Sequence, residues 1–251
     1  MPGIDHRNRE NIENSKFSQS GLRKGLDAFG NMFAINVLFV ITSLPIFTIG
    51  ASLTAAYSMS MRLQDDKEET VLAGYISEFK RNFKQATLTF FLVLLVAAIM
   101  TAEVLLVRMQ ERGSLMAQFY TVVLIFESIG MALVLPFLFP LIAAYENTFW
   151  NTIRNAFYMS VGYTWSAVKI IVAWAAPVII CLVYPVIFIT IWYLWLLLIF
   201  GAVIWGTSHT VRSVLRKNNK ALENKKEESS GKSDGSEKTV KDDAEDIQSA
   251  K

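Results

Sequence analysis

The chain has 251 residues, of which 53% are hydrophobic, 12% aromatic and 18% charged, a balance more apolar than that of an ordinary water-soluble domain. Its formal net charge of +2 excludes a broad nucleic-acid footprint, because the basic residues stand beside apolar runs instead of forming one stripe. Its lone cysteine, Cys181, excludes an internal disulfide.

Residues 1–27 are polar and contain no apolar h-region, which predicts a cytoplasmic N-terminal segment instead of a cleaved signal. The first apolar stretch, Ala28–Met61, is too long for one ordinary span of about 20 residues. Pro45, Thr48 and Gly50 interrupt it in "LPIFTIGASLTAAY". Proline removes a helix hydrogen bond, threonine is suited to cap the next helix, and glycine permits an otherwise strained backbone. The expectation is a hairpin of two short helices, Ala28–Leu44 and Thr48–Met61. Gly50, Ala51, Ser52, Thr54, Ala55 and Ala56 provide the small-residue spacing that lets the second helix pack inside the bundle.

Four further apolar segments follow, Gln85–Val107, Phe119–Tyr145, Ala167–Val183 and Val186–Trp205, the last two turned at Tyr184 and Pro185. The predicted fold class is therefore all-α, a polytopic transmembrane helix bundle over residues 28–216 with about six crossings. Lys and Arg placement sets the orientation, since short cytoplasmic loops retain the excess. Six crossings put Arg7, Arg9, Lys16, Arg23 and Lys24 inside, then Arg62, Lys67, Lys80, Arg81 and Lys84, then Arg154 and Lys169, then Arg212 and Arg216. Only Arg108 and Arg112 remain outside. Both termini are then cytoplasmic, in a multi-pass protein of the cell membrane. Were Ala28–Met61 to cross once, the cationic loop from Arg62 to Lys84 would fall outside, against the rule.

Two approaches to the spans are amphipathic and are expected to lie along the inner interface. In the first, Tyr75, Ile76, Phe79 and Phe83 alternate with Lys80, Arg81 and Lys84; in the second, Phe149, Trp150, Ile153 and Phe157 alternate with Asn151, Arg154 and Asn155. "KRNF" in one faintly echoes "IRNAF" in the other, the trace an internal repeat would leave. Residues 217–251 mix eight Lys with nine Asp or Glu and contain no aromatic residue, a composition that predicts a disordered cytoplasmic tail.

The run "FGNMFAINVLFVITSLPIFTIGASLTAAY" followed by "EFKRNFKQATLTFF" resembles the YesL-like family of bacterial membrane proteins, which is defined as a domain of unknown function. Pro45, Thr48, Gly50, Phe79, Lys80, Asn82 and Phe83 carry the resemblance, and "TIRNAF" at Thr152–Phe157 is similar to the family's second cytoplasmic approach. The resemblance implies no catalytic residue. Members of the family are often encoded near carbohydrate uptake and degradation genes, so it implies an accessory role in sugar transport, with a sugar-transporter permease as partner beside the lipid bilayer.

The candidate polar sites within the membrane are Glu103 and Glu127, because an ionisable group in a span is costly and marks a functional-site hypothesis. Glu103 also fits an interfacial residue, and Glu127 a structural hydrogen bond; with the outer ends of the two spans level, both lie in the outer half of the bilayer, where Arg108 and Arg112 are expected to pair with one of them or neutralise it. If both carboxylates face one cavity, cation or proton handling becomes conceivable. Pro136, Pro140 and Pro177 fit packing kinks. Trp165 and Trp205 fit interfacial anchors, while Trp174, Trp192 and Trp195 fit packing. His6 and His209 lie far apart, no metal-ligand spacing or phosphate-binding loop occurs, and "GTSHT" reads as a polar helix exit. No metal or cofactor is expected. The sequence thus points to a non-enzymatic membrane protein, accessory to carbohydrate transport, with a transporter or permease subunit for a small solute as the alternative.

Overall fold

A computed structural model describes residues 6–65, 70–111, 113–186, 189–190 and 198–249. Among them every regular element is helical and no strand occurs. Helix α1 spans His6–Ser43; a single 3-10 turn, Ile46–Thr48, leads into α2, Ile49–Gln64. Helices α3, Val71–Met109, and α4, Leu115–Ala144, form the longest hairpin. Then come α5, Phe149–Gly162, α6, Thr164–Val183, and α7, Phe200–Ser249.

Among the described residues, four segments are long and apolar enough to cross a membrane: Gly25–Ser43, Val71–Met109, Leu115–Ala144 and Thr164–Val183. The chain is a helical membrane protein. In lipid a helix satisfies its own backbone, so each span needs only a continuous apolar surface. On α3 that surface is bounded by Lys84 and Arg108; the residues between them rise roughly 35 Å, a little more than the ~30 Å hydrocarbon layer.

The break after α1 falls where Pro45 predicts it, but its chemistry differs. Thr48 Oγ1 does not cap α2; it donates backwards to the carbonyl oxygens of Thr42 and Pro45, tying down the turn. Gly50 does not relieve a strained backbone either, since Gly113 alone among the described glycines has a positive φ. A Cβ at Gly50 would stand 2.5 Å from the Ala86 carbonyl oxygen and 2.7 Å from Phe90 Cβ. Glycine is required there by close helix approach.

Helix α2 packs against α1, α3 and α4. Its residues from Gly50 to Met61 are buried, except for the half-buried Leu53, and Ala51 joins Ala86, Phe139 and Ile142 in one apolar cluster. At 16 residues, about 24 Å, it is not among the four candidate spans.

Two further expectations need correction. Helix α1 begins at His6, well before the predicted Ala28. The Tyr75–Lys84 approach is the opening of α3 itself, with Tyr75 and Glu78 buried, and is no separate interfacial helix. Helix α7 continues to Ser249, through the charged residues 217–249. Low apolar content denies a segment a core, but a helix closes its own hydrogen bonds, and Lys and Glu are good helix formers.

By compactness the chain divides into Met1–Thr210, which holds the bundle, and Val211–Lys251, which holds the remainder of α7. Lys67, Arg112, Trp192, Trp195 and residues 187–188 and 191–197 of the expected span Val186–Trp205 lie outside the described residues, as do the side chains of His6, Arg7, Arg9, Lys16 and Lys24.

Candidate functional site

Helix α2 is rich in hydroxyls, and burying them without partners would be costly. Some bond back to their own helix: Ser52 Oγ donates to the Thr48 carbonyl at 3.0 Å and Thr54 Oγ1 to that of Gly50 at 2.9 Å. Others tie helices together. Tyr75 Oη of α3 lies 2.8 Å from Thr42 Oγ1 of α1 and donates to the Ser52 carbonyl at 3.1 Å. Tyr57 Oη sits 3.0 Å from Thr207 Oγ1 of α7 and accepts from Trp174 Nε1 of α6 at 3.2 Å. Near the end of α2, Gln64 Nε2 donates to the Trp205 carbonyl at 2.9 Å and to Ser208 Oγ at 3.1 Å. Asn36 Oδ1 accepts the Gly201 backbone N–H at 2.6 Å, where a Cβ on Gly201 would meet Asn36 Cβ at 2.6 Å.

The most charged point of the interior was not legible as a site. The Glu78 side chain, 2% exposed, receives Arg62 Nη1 on Oε1 at 3.0 Å and Arg81 Nη2 on Oε2 at 2.6 Å. Asn82 Nδ2 adds a contact to Oε2 at 3.3 Å. Two guanidinium groups and an amide thus answer one carboxylate, a charge-assisted knot between α2 and α3. In sequence Glu78 reads as one solvated charge among cations. A hint was its position between Tyr75 and Asn82, one turn from each, on the face that packs inward.

The two carboxylates singled out from sequence lie elsewhere. Glu103 and Glu127 are each half-buried on α3 and α4, and the Oε2 atom of each is buried with no hydrogen-bond partner among the described residues. No ion pair joins Arg108 to either of them among the described residues. A cavity of about 300 Å³ does open between α2, α4 and α6. It is lined by Leu53, Tyr57, Leu135, Pro136, Phe139, Pro140, Ile170 and Trp174, and includes neither Glu103 nor Glu127. Pro136 and Pro140 shape its wall while α4 remains helical through both. A shallower hollow near 500 Å³ at the α3–α4 loop, bordered by Gln110, Glu111 and Gln118, also lacks both carboxylates.

Of the other residues singled out, Trp165 is 73% exposed, as an interfacial anchor is. Trp174 is half-buried and packs toward Phe200, with ring centroids 6.5 Å apart. Ser208 is buried and donates to the Trp205 carbonyl, while the adjacent His209 is exposed, so the two are not a catalytic pair. Among the described residues no group of three His, Cys, Asp or Glu side chains is placed to hold a metal ion.

The chain matches the family described as "Protein of unknown function, DUF624" over residues 32–104, which takes in the apolar half of α1, the break, α2 and most of α3. No curated protein and no solved structure matches it. The matched stretch holds Gly50, Arg62, Tyr75 and Glu78, which join the first three helices, and Tyr57, which ties α2 to α6 and α7.

Proposed function

We propose that this chain is a YesL-like, non-enzymatic membrane protein that serves as an accessory or regulatory partner of a carbohydrate transport system. The observation that carries this reading is the interior of the bundle. Its buried tyrosines, its central helix and the Glu78 knot are engaged in bonds from helix to helix, an arrangement suited to a rigid scaffold. The carbohydrate association rests on the sequence resemblance. Purification of the full chain in mild detergent, with identification of what accompanies it, is the test. Recovery of a sugar-transporter permease supports the accessory role, and a lone protein that drives solute uptake in liposomes overturns it.

The unpartnered carboxylate oxygens of Glu103 and Glu127 favour a second reading, a transporter or permease subunit for a small solute. Under it, Glu127→Gln keeps shape and most hydrogen bonding but removes the titrating proton, so cation- or pH-dependent uptake is lost while the fold persists. Parental behaviour of both Glu127→Gln and Glu127→Leu removes that residue as a site.

A further inference from the structure

The cavity between α2, α4 and α6 has an open end and a closed one. Ala132 and Leu135, both exposed, border it on one side, while Tyr57, Phe139, Pro140 and Ile170, all buried, line its inner part. Ala132 and Leu135 fall near the middle of the apolar span Leu115–Ala144, so the mouth opens to acyl chains and not to water. What enters must arrive dissolved in lipid. At about 300 Å³ the space is roughly twice that of a cavity that takes benzene, room for roughly a dozen non-hydrogen atoms.

Two backbone oxygens give this apolar wall its polarity. Proline carries no N–H, so Pro136 leaves the Ala132 carbonyl without its helical donor, and Pro140 does the same to the carbonyl of Pro136. A helix carbonyl points toward the N–H four positions on, so both oxygens lie along the stripe of Ala132, Pro136 and Pro140 that borders the cavity. The polar side chains of the wall supply no donor in exchange. Trp174 Nε1 donates to Tyr57 Oη at 3.2 Å, and Thr207 Oγ1, 3.0 Å from that phenol, donates onward to the Val203 carbonyl at 2.6 Å, so the Tyr57 hydroxyl donates to Thr207. The cavity therefore offers acceptors in a medium where an unanswered carbonyl is costly. Among the described residues no carboxylate lines it, so a charged ammonium would lack a counter-charge there.

We propose that this cavity binds a neutral, lipid-soluble alcohol, whose hydroxyl donates to one of the carbonyl oxygens of Ala132 and Pro136 while its apolar body lies against Leu53, Phe139, Ile170 and Trp174. The prolines thus act as more than kinks: they turn a self-satisfied helix into one that presents acceptors to a ligand. This inference rests on the membrane-embedded fold and is independent of the accessory role.

The test uses the full chain in nanodiscs and a diazirine-bearing octanol as photoprobe, with adducts located by mass spectrometry. Labelling of the cavity residues of α4 and α6 should saturate. Decanol should displace the probe about fivefold better than decane at equal concentration in the bilayer, the scale of one hydrogen bond. In the Pro136→Ala, Pro140→Ala double variant both carbonyls regain helical donors, so this preference should vanish while decane still competes. Ala132→Phe, at the exposed mouth, should abolish the labelling and leave the fold intact. Labelling that neither saturates nor is competed, as when water alone answers the carbonyls, overturns the proposal. So do equal competition by decane in the parent, labelling that persists in Ala132→Phe, and a preference that survives in the double variant. Should the double variant unfold, the single substitutions decide, because at least one of them must weaken the preference.

Discussion

Gly50 shows how one missing methyl group sets a helix spacing. With the Ala86 carbonyl oxygen 2.5 Å from where its Cβ would lie, Gly50→Ala must push α2 and α3 apart. The expected loss is about 1–3 kcal/mol, measured as reversible unfolding in detergent. Gly130→Ala is the control: nothing lies within 4 Å of its added Cβ, and alanine favours the helix, so stability should hold or rise. Glu78 makes a second case, in which the cost depends on the charge left behind. Glu78→Gln leaves two arginines whose side chains are 32% and 49% exposed and able to hydrate, so it should cost about 1 kcal/mol. The Arg62→Gln, Arg81→Gln double variant instead strands a carboxylate that is 2% exposed, and should cost about 3–5 kcal/mol in the same assay. Equal losses in the two variants would refute this asymmetry.

Among the elements, α2 separates burial from hydropathy. If α1 and α2 cross as a hairpin, as the sequence predicts, Phe47 and Asp65 stand on opposite sides of the membrane, and the positive-inside rule predicts that Asp65 is cytoplasmic. Single cysteines at Phe47 and Asp65 in a Cys181→Ala background should therefore differ, with an impermeant thiol reagent labelling only Phe47→Cys from outside. Labelling of Asp65→Cys from outside would reverse the assignment. The α3, α4 and α6 runs were legible in sequence because lipid demands unbroken apolar stretches, and the break at Pro45 because proline cannot continue a helix. The packed face of α5 was not legible. Soluble proteins turn large apolar residues inward, whereas here Trp150, Phe157 and Tyr158 are exposed and Thr152, Ala156 and Ser160 are packed. Glu78 was hidden for a related reason: its two arginine partners come from different helices, and sequence spacing reveals only Arg81.

For the molecule as a whole, the bundle and the remainder of α7 answer to different forces. The bundle is held by burial around α2 and by hydroxyl and ionic ties between helices. Residues 217–251, with eight Lys, nine Asp or Glu and no aromatic residue, have too little apolar surface to build a core. A chain ending at Arg216 should therefore insert and unfold at the same temperature as the full protein, within about 2 °C for a change too small to remove a core contact. Aggregation of the truncated chain in membranes that tolerate the full one would contradict this.

The burial of α2 also bears on how the protein is made. During synthesis α2 emerges before α3 and α4, so Ser52, Thr54, Ser58 and Ser60 have no shelter when the segment first meets the bilayer. An insertion machinery that judges each segment by its partitioning into lipid has little reason to retain this one alone. Biogenesis must then be cooperative, with α2 held near the interface or paired with α1 until its later neighbours arrive. Nascent chains stopped soon after Gln64 should leave α2 open to protease, and chains stopped beyond Ala144 should protect it.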